Sequence, residues 1–217
     1  MGAPDSGKVF VYHGSASGMS TSPDWQASGA SNSGFGYSVS TAGDVDGDGY
    51  SEILVGAPGN TGQAFAYTGS PAGLSANSVW SVSSDGSTNS LGFNVRTAGD
   101  VNGDGYSDVL VCGFSPKAFV YNGSPSGFPS TFNWTYNDPG GSFGWSVASA
   151  GDINGDGYSD VIIGAPDYNN GAATVGKFFI FHGSANNLPS IPSLLRPEQT
   201  RAPASTGLED ALPPPEM

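Results

Sequence analysis

The hydrophobic positions of this chain fall into short runs of four to eight residues, separated by clusters of Gly, Pro, Asn and Ser. These runs are rich in Val, Ile, Phe and Tyr, a composition typical of β-strands. No stretch carries apolar residues at i, i+3, i+4 and i+7 for more than one turn. The 34 glycines and 16 prolines leave no place for a long helix. The pattern therefore predicts an all-β fold.

An acidic segment of nine residues occurs three times and sets the period of the chain. Its first aspartates are Asp44, Asp100 and Asp152, so the repeat is 56 and then 52 residues long. One apolar run precedes each segment and two follow it, and Trp80 and Trp134 mark a fourth run in two of the copies. Four short strands per repeat of this length indicate a β-propeller blade. The acidic segment then forms the tip of the hairpin between strands one and two.

The spacing of oxygen atoms in this segment suits a hard divalent cation. Asp, Asn or Glu side chains occupy positions 1, 3, 5 and 9, and the main-chain carbonyl of position 7 is available. Ca²⁺ takes about six to eight oxygen ligands, and a glycine at position 6 allows the sharp turn around the ion. Ordinary Asp-Gly surface turns are the simpler alternative. Three copies with one ligand spacing favour three calcium sites.

The order of these motifs resembles the FG-GAP repeat of the integrin α-subunit β-propeller. The first copy reads Phe35-Gly36, then the acidic segment, then Gly56-Ala57-Pro58, and the resemblance covers most of residues 2 to 188. It implies a seven-bladed propeller with Ca²⁺ in the loops of the lower rim. The second copy departs from the motif, since Leu91 replaces Phe and Cys112-Gly113-Phe114 replaces Gly-Ala-Pro.

The resemblance implies five ligands in each loop, with each tyrosine serving through its main-chain carbonyl. They are Asp44, Asp46, Asp48, Tyr50 and Glu52; Asp100, Asn102, Asp104, Tyr106 and Asp108; and Asp152, Asn154, Asp156, Tyr158 and Asp160. Glu52 stands where the family has Asp, and its extra methylene group predicts weaker binding or altered geometry in the first loop.

The repeats predict about three and a half blades. The expected boundaries are a partial blade with strands three and four at 1–34, blades with calcium loops at 35–80, 81–134 and 135–189, and a disordered or non-native tail at 190–217. An incomplete ring leaves open sheet edges. The chain is therefore expected to be part of a longer propeller or to self-associate through its open blade edges.

Composition limits the partners. The formal charge is −13, but ten of the nineteen acidic residues lie in the three loops, where cations would neutralise them. Six Lys and Arg residues are too few for a nucleic-acid footprint. There is no apolar run near 18 residues, which argues against membrane insertion. No signal-peptide pattern follows Met1, so an extracellular or cell-surface location is predicted from the calcium loops alone.

No residue set in the sequence suits catalysis. His13 and His182 share one repeat position, where Thr68 and Asn122 stand in the other copies, which is typical of a polar strand end. The prediction is a non-enzymatic, calcium-stabilised module for extracellular protein recognition or adhesion. A calcium-stabilised lectin that binds glycans and an accessory domain of a larger secreted enzyme are the alternatives. The candidate ligand-binding residues lie on the rim opposite the acidic loops and are Tyr136, Asn137, Tyr168, Asn169 and Asn170.

Overall fold

The computed structural model describes residues 6–84, 86, 90–114, 117–138 and 140–193, and these residues contain strands and no helix. The strands are β1 (Ser6–Val11), β2 (Gly14–Ser15), β3 (Gly18–Met19), β4 (Trp25–Ser31), β5 (Ser38–Gly43), β6 (Glu52–Ala57), β7 (Gln63–Tyr67), β8 (Trp80–Ser83), β9 (Asn94–Gly99), β10 (Asp108–Cys112), β11 (Lys117–Tyr121), β12 (Trp134–Asn137), β13 (Ser146–Gly151), β14 (Asp160–Ala165) and β15 (Lys177–Phe181). The predicted all-β fold is confirmed.

Two complete blades are present as four-stranded antiparallel sheets, in the order β5-β6-β7-β8 and β9-β10-β11-β12. A third sheet contains β13-β14-β15. Ahead of the complete blades, β1 pairs with β4 as the predicted strands three and four of a partial blade, and β2 and β3 form a small hairpin between them. The expected end of a second strand at Gly2-Ala3-Pro4 lies outside the described residues. We number the sheets from blade 0, the partial blade, to blade 3.

The last strand of each complete blade extends past the boundary expected from sequence. Strand β8 runs from Trp80 to Ser83 and β12 from Trp134 to Asn137, so each ends three residues beyond the predicted limits at 80 and 134. The extension follows from the pairing of strand four with strand three. Gln63 pairs with Ser83 and Lys117 pairs with Asn137, so the fourth strand is hydrogen-bonded along the full length of the third.

The repeat also continues past residue 190, where a tail was expected to begin. Ser193 N–H donates to the Ile180 carbonyl at 2.8 Å, as Asn133 N–H donates to Val120 at 2.8 Å in the preceding blade. Residues 190–193 therefore correspond to the segment that directly precedes strand four in blade 2. The remainder of the predicted tail, 194–217, lies outside the described residues.

The core is divided into layers between consecutive blades rather than concentrated within one sheet. One cluster joins blades 0 and 1 through Val9 and Phe35, one joins blades 1 and 2 through Leu54 and Val111, and the largest joins blades 2 and 3. The first strands of blades 1, 2 and 3 lie beside one another, as the inner strands of a propeller do. Among the described residues there is no helix that could cross a membrane.

Candidate metal centre

Each acidic loop connects the first two strands of a blade, and its first aspartate organises the turn. Asp44 Oδ1 accepts from Gly47 N–H at 2.7 Å, and its Oδ2 accepts from Gly49 N–H at 3.0 Å. Asp100 and Asp152 repeat this pattern in the second and third loops. Gly49 has a φ of +89°, a conformation that side chains other than glycine rarely adopt. The first aspartate therefore holds each loop in the same tight turn by hydrogen bonds from two backbone N–H groups.

In the first loop, carboxylate oxygens of Asp44, Asp46 and Asp48 lie within 4.8 Å of one another. In the second and third loops position 3 is Asn, and Asn102 Nδ2 and Asn154 Nδ2 each donate to the fifth-position aspartate at 2.8 Å. Three carboxylates at this separation repel one another, and a bound cation would relieve that repulsion. The donor set fits a calcium ion.

The ninth-position carboxylates lie at the inner end of the loops and are fully buried. Asp108 Oδ2 accepts from Val101 N–H at 2.8 Å, and its Oδ1 accepts from Gly123 N–H at 2.9 Å. Asp160 makes the equivalent pair of bonds. Glu52 Oε2 accepts from Val45 N–H at 2.7 Å, whereas its buried Oε1 makes no hydrogen bond of good geometry, although the nearby Gly69 N–H acts to lower the pKa of this carboxyl. The first loop thus differs from the others at the residue that the sequence singled out.

Burial dominates the electrostatics of these inner carboxylates. It raises the pKa of Asp108 to about 7 and also raises the pKa of Glu52, in both cases against the opposing effect of the backbone N–H groups. By contrast, N–H donors led by that of Gly157 lower the pKa of the exposed Asp152. His182 Nδ1 lies 3.2 Å from Asp160 Oδ2, so this histidine lies beside the third loop.

Main-chain hydrogen bonds join each of the first two loops to the following blade. The Asp44 and Val45 carbonyls accept from Ser107 and Ser124 N–H at 2.9 and 3.0 Å. One blade further on, the Asp100 and Val101 carbonyls accept from Ser159 and Ser184 at 2.8 and 3.0 Å. Each of these two loops therefore belongs to an interface between blades as well as to its own hairpin.

The seventh-position tyrosines have a structural role that sequence reasoning missed. The Tyr106 ring lies over Gly47 of the preceding loop, where a Cβ atom would approach the ring to 2.7 Å, and Tyr158 covers Gly103 in the same way. The signal was present in the sequence, because Gly at position 4 and Tyr at position 7 occur in all three loops. The tyrosine of one loop thus packs its ring on the preceding loop.

The five candidate ligand-binding residues differ in their surroundings. Tyr136 is half-buried and stacks near Trp134, Phe143 and Phe181, and Tyr168 packs on the same core with Lys177 Nζ 4.5 Å from its ring centre. The amide oxygens of Asn169 and Asn170 accept from turn N–H groups at 2.7 and 2.9 Å. Asn137 is exposed and pairs with Lys117.

A different group of aromatic residues is exposed on the rim opposite the acidic loops. Tyr37, Phe114 and Trp145 are each about half exposed and surround Phe93, with ring centres 5.0, 5.3 and 5.7 Å from it. We call these four residues the rim aromatic cluster. Three of them directly follow the Phe-Gly or Leu-Gly pair of their repeat, so the sequence itself contains the signal for this cluster.

A family model supports the assignment of the repeats. The model described as "FG-GAP repeat" matches residues 35–80 and 143–176, which lie in the first and third copies. This chain carries FG-GAP repeats. The second copy, outside both matches, is the one with Leu91 and Cys112-Gly113-Phe114 in place of the usual motifs.

Curated relatives of the FG-GAP chain are integrin α-subunits. It is 34% identical over 183 residues to integrin alpha pat-2 of Caenorhabditis elegans, covering 73% of this chain and 14% of the relative. It is 31% identical over 176 residues to integrin alpha-5 of Xenopus laevis, and the match covers 73% of this chain and 16% of the relative. It is 33% identical over 121 residues to integrin alpha-6 of Homo sapiens, and the match covers 50% of this chain and 10% of the relative. The chain spans about a tenth to a sixth of the length of these relatives.

Proposed function

We propose that this chain is a calcium-binding FG-GAP propeller module for protein recognition or adhesion outside the cell, in which Ca²⁺ has a structural role. The observation that carries the proposal is the convergence of the Asp44, Asp46 and Asp48 carboxylates within 4.8 Å. The repetition of the loop in three blades and the similarity to integrin α-subunits support it.

The proposed sites follow the three loops. Positions 1, 3 and 5 supply side-chain oxygens, Tyr50, Tyr106 and Tyr158 supply carbonyl oxygens, and the ninth position closes the ring from the buried side. Because loops one and two also hold the next blade by main-chain hydrogen bonds, calcium that orders a loop also stabilises the docking of that blade. At a hundredfold excess over Kd, each site adds about 2.7 kcal/mol to the stability of the folded chain.

Calorimetric titration of the metal-free chain with Ca²⁺ tests the sites. We expect three ions per chain, two for Asp44→Ala, and three for Asp46→Asn, because Asn occupies that position in the other two loops. Melting in calcium and in EDTA tests the structural role, and a higher melting temperature in calcium is expected. Fewer than three ions would contradict the number of sites, and coincident melts would contradict the stabilisation.

The rim aromatic cluster is the proposed recognition surface, because exposed aromatic residues are concentrated at the centres of protein interfaces. Attachment of adherent cells to the immobilised protein tests this surface. We expect attachment in calcium, its loss in EDTA, and a strong reduction in the double variant Tyr37→Ala, Trp145→Ala. Tyr12→Ala, which removes an exposed aromatic side chain elsewhere, is the matched control. Equal attachment by all variants would contradict the assignment.

Three further properties belong to this proposal. The module is extracellular or on the cell surface, where the calcium concentration is high enough to fill even weak sites. We expect it to have no catalytic activity of its own, because its acidic residues serve the proposed calcium sites. It also self-associates through the uncovered face of blade 3, where Phe178 is 48% exposed. The corresponding residues of blades 2 and 1, Ala118 and Ala64, are fully buried by the next blade.

A further inference from the structure

Two tripeptides of the form Asn-x-Ser/Thr lie at the two ends of the segment that joins β11 to β12 in blade 2. They are Asn122-Gly123-Ser124 and Asn133-Trp134-Thr135. Tripeptides of this form are acceptors for N-linked glycans in secreted proteins. A glycan is bulky and hydrated, so the folded chain must present the acceptor amide to solvent. The structure separates the two tripeptides on this criterion.

The side chain of Asn133 contributes only its oxygen atom to the fold. Asn133 Oδ1 accepts from Asn122 N–H at 2.9 Å. In blade 0, Asp24 Oδ2 accepts from His13 N–H at 2.7 Å, and both acceptors directly precede the tryptophan that begins strand four. Because a carboxylate, which has no nitrogen, makes the same bond, the amide nitrogen of Asn133 is not required for this contact.

The amide nitrogen of Asn133 is available to solvent. In an amide the oxygen accepts hydrogen bonds and the nitrogen only donates them, so Nδ2 points away from Asn122 N–H. Asn133 is exposed, and its Nδ2 donates to no residue in the part of the chain that the structure describes. Thr135 is exposed as well, because side chains alternate along a strand and the intervening Trp134 is buried. Both residues that define the second tripeptide are therefore accessible.

The first tripeptide is engaged in contacts within the fold. Asn122 is half-buried, and its Oδ1 accepts from Asn187 Nδ2 of blade 3 at 2.9 Å. The Ser124 hydroxyl donates to the Gly127 carbonyl at 3.0 Å. A glycan on Asn122 would therefore lie against blade 3 rather than in solvent.

We propose that Asn133 is an N-glycosylation site, a proposal that rests on the extracellular location proposed above. The donor is an oligosaccharide linked to a lipid pyrophosphate. A bond forms between Asn133 Nδ2 and the anomeric carbon of the first sugar, and the bond from that carbon to the pyrophosphate oxygen breaks. The amide nitrogen loses one proton as the lipid pyrophosphate leaves. Oδ1 is unchanged by this transfer, so the glycosylated chain keeps the hydrogen bond from Asn122 N–H.

A glycan at Asn133 leaves the rim aromatic cluster uncovered. The segment between β11 and β12 begins on the side of the acidic loops, where Gly123 N–H donates to Asp108 Oδ1. Asn133 lies at the same end of the blade, since its own N–H donates to the carbonyl of Val120, near the end of β11. The rim aromatic cluster is on the opposite rim. Glycosylation is therefore compatible with the proposed recognition surface.

Secretion of the full chain from cultured mammalian cells, directed by an added signal peptide, tests the site. Peptide N-glycosidase F removes N-linked glycans and converts the asparagine that carried one into aspartate, which mass spectrometry of proteolytic peptides locates. We expect one glycan, at Asn133, and its loss in Asn133→Asp and in Thr135→Val. Thr135→Ser, which keeps a hydroxyl, and Asn122→Asp, which alters the other tripeptide, should retain it.

Each outcome of this experiment decides the proposal. A chain without a glycan, in the medium or in the cells, overturns it. A glycan at Asn122, or one that persists in both Asn133→Asp and Thr135→Val, also overturns it. These two substitutions remove the acceptor through different residues, and Asn133→Asp keeps an oxygen for Asn122 N–H, so agreement between them excludes loss through misfolding. Calcium binding and cell attachment are measured on unglycosylated chain from bacteria, so failure here is distinguishable from failure of the proposed function.

Discussion

The ninth position of the acidic loop shows how one methylene group changes a buried site. Asp108 and Asp160 use both carboxylate oxygens to join the loop backbone to a glycine at the end of strand three. Glu52 reaches the loop backbone, but its second oxygen makes no hydrogen bond of good geometry to Gly69, the glycine that is equivalent to Gly123 and Gly183. A buried polar atom without a hydrogen bond costs about 1–3 kcal/mol. The first site is therefore the one in which a shorter side chain should improve the fit.

Glu52→Asp is expected to tighten calcium binding at the first loop severalfold, because the shorter side chain can reproduce the two hydrogen bonds of Asp108. Calorimetric titration of the substituted and original chains measures the change. Asp108→Glu is the matched control, and it should weaken the second site. Unchanged or weaker binding by Glu52→Asp would show that the longer side chain is accommodated, for example by bidentate ligation.

A pH effect follows from the raised pKa of Asp108, which is about 7 in the folded chain against an ordinary 3.8. Between about pH 4 and 7 the folded metal-free chain keeps a proton that the unfolded chain has released. Its free energy of unfolding should therefore fall as the pH rises through this window, by up to about 1.4 kcal/mol per pH unit. Urea unfolding in EDTA measures this slope.

Asp108→Asn is the control for that measurement, because it removes the titrating group and should flatten the slope relative to the original chain. The buried Glu52, whose pKa is also raised, contributes the same background to both proteins. Saturating calcium should reverse the trend, since the ion binds the ionised carboxylate. Parallel pH profiles for the two metal-free proteins would contradict the prediction.

Residues that act within one repeat could be predicted from the sequence, whereas residues that act between repeats could not. The acidic side chains of the first loop are close in sequence, so their spacing alone predicts the convergence of Asp44, Asp46 and Asp48. Tyr136 and Tyr168 were expected to be free for binding, but their environment is set by packing on Phe143 and Phe179 and by Lys177. The rim aromatic cluster combines three blades, and no single repeat reveals it.

At the level of strands, the first residue of each fourth strand joins its blade to the next one. Trp25, Trp80 and Trp134 donate from Nε1 to the carbonyls of Ser75, Pro129 and Pro189, at 3.0, 2.8 and 3.0 Å. Trp80 also packs its ring against Tyr121 of blade 2 at 5.0 Å. The sequence marked these tryptophans as the start of strand four, but their partners lie about 50 residues away and depend on the docking of blades.

Trp80→Phe is expected to destabilise the chain by about 1 kcal/mol, the usual net value of one hydrogen bond, with a further loss from the smaller ring. Chemical denaturation in calcium measures the change. Trp145→Phe makes the same substitution at a residue that is 49% exposed, and it should change stability by less than about 0.5 kcal/mol. Equal effects of the two substitutions would mean that the bond to Pro129 contributes nothing.

At the scale of the molecule, the blades form a series in which each covers the one before it. Val45 and Val101, at the second position of their loops, are fully buried under the next blade, whereas the equivalent Ile153 is 50% exposed. Phe178 and the half-buried Ile162 lie on one side of blade 3, which no other blade of the described structure covers. Burial of such a face is worth about 25 cal/mol per Å² before the costs of association.

The 217-residue chain is therefore expected to dimerise at micromolar concentration through this face of blade 3. Sedimentation velocity measures the association, and Phe178→Lys should shift the chain to monomer because it places a charge in the interface. Phe10→Lys, at an exposed position of blade 0, is the control for added charge. A monodisperse monomer that is unchanged when residues 190–217 are deleted would contradict the prediction.

The hydrogen bonds from the first two acidic loops to the following blades also impose an order on biosynthesis. When residues 6–99 have left the ribosome, the first loop is complete, but Ser107 and Ser124 have not yet been exposed. Their N–H groups, which donate to the carbonyls of this loop in the folded chain, are therefore missing. Because domains generally begin to fold from the N-terminus during synthesis, the first loop reaches its final form one repeat late. Folding of an acidic loop is thus completed only after the next blade has been synthesised. A chain whose synthesis stops between repeats exposes an acidic loop that lacks its hydrogen bonds to the next blade.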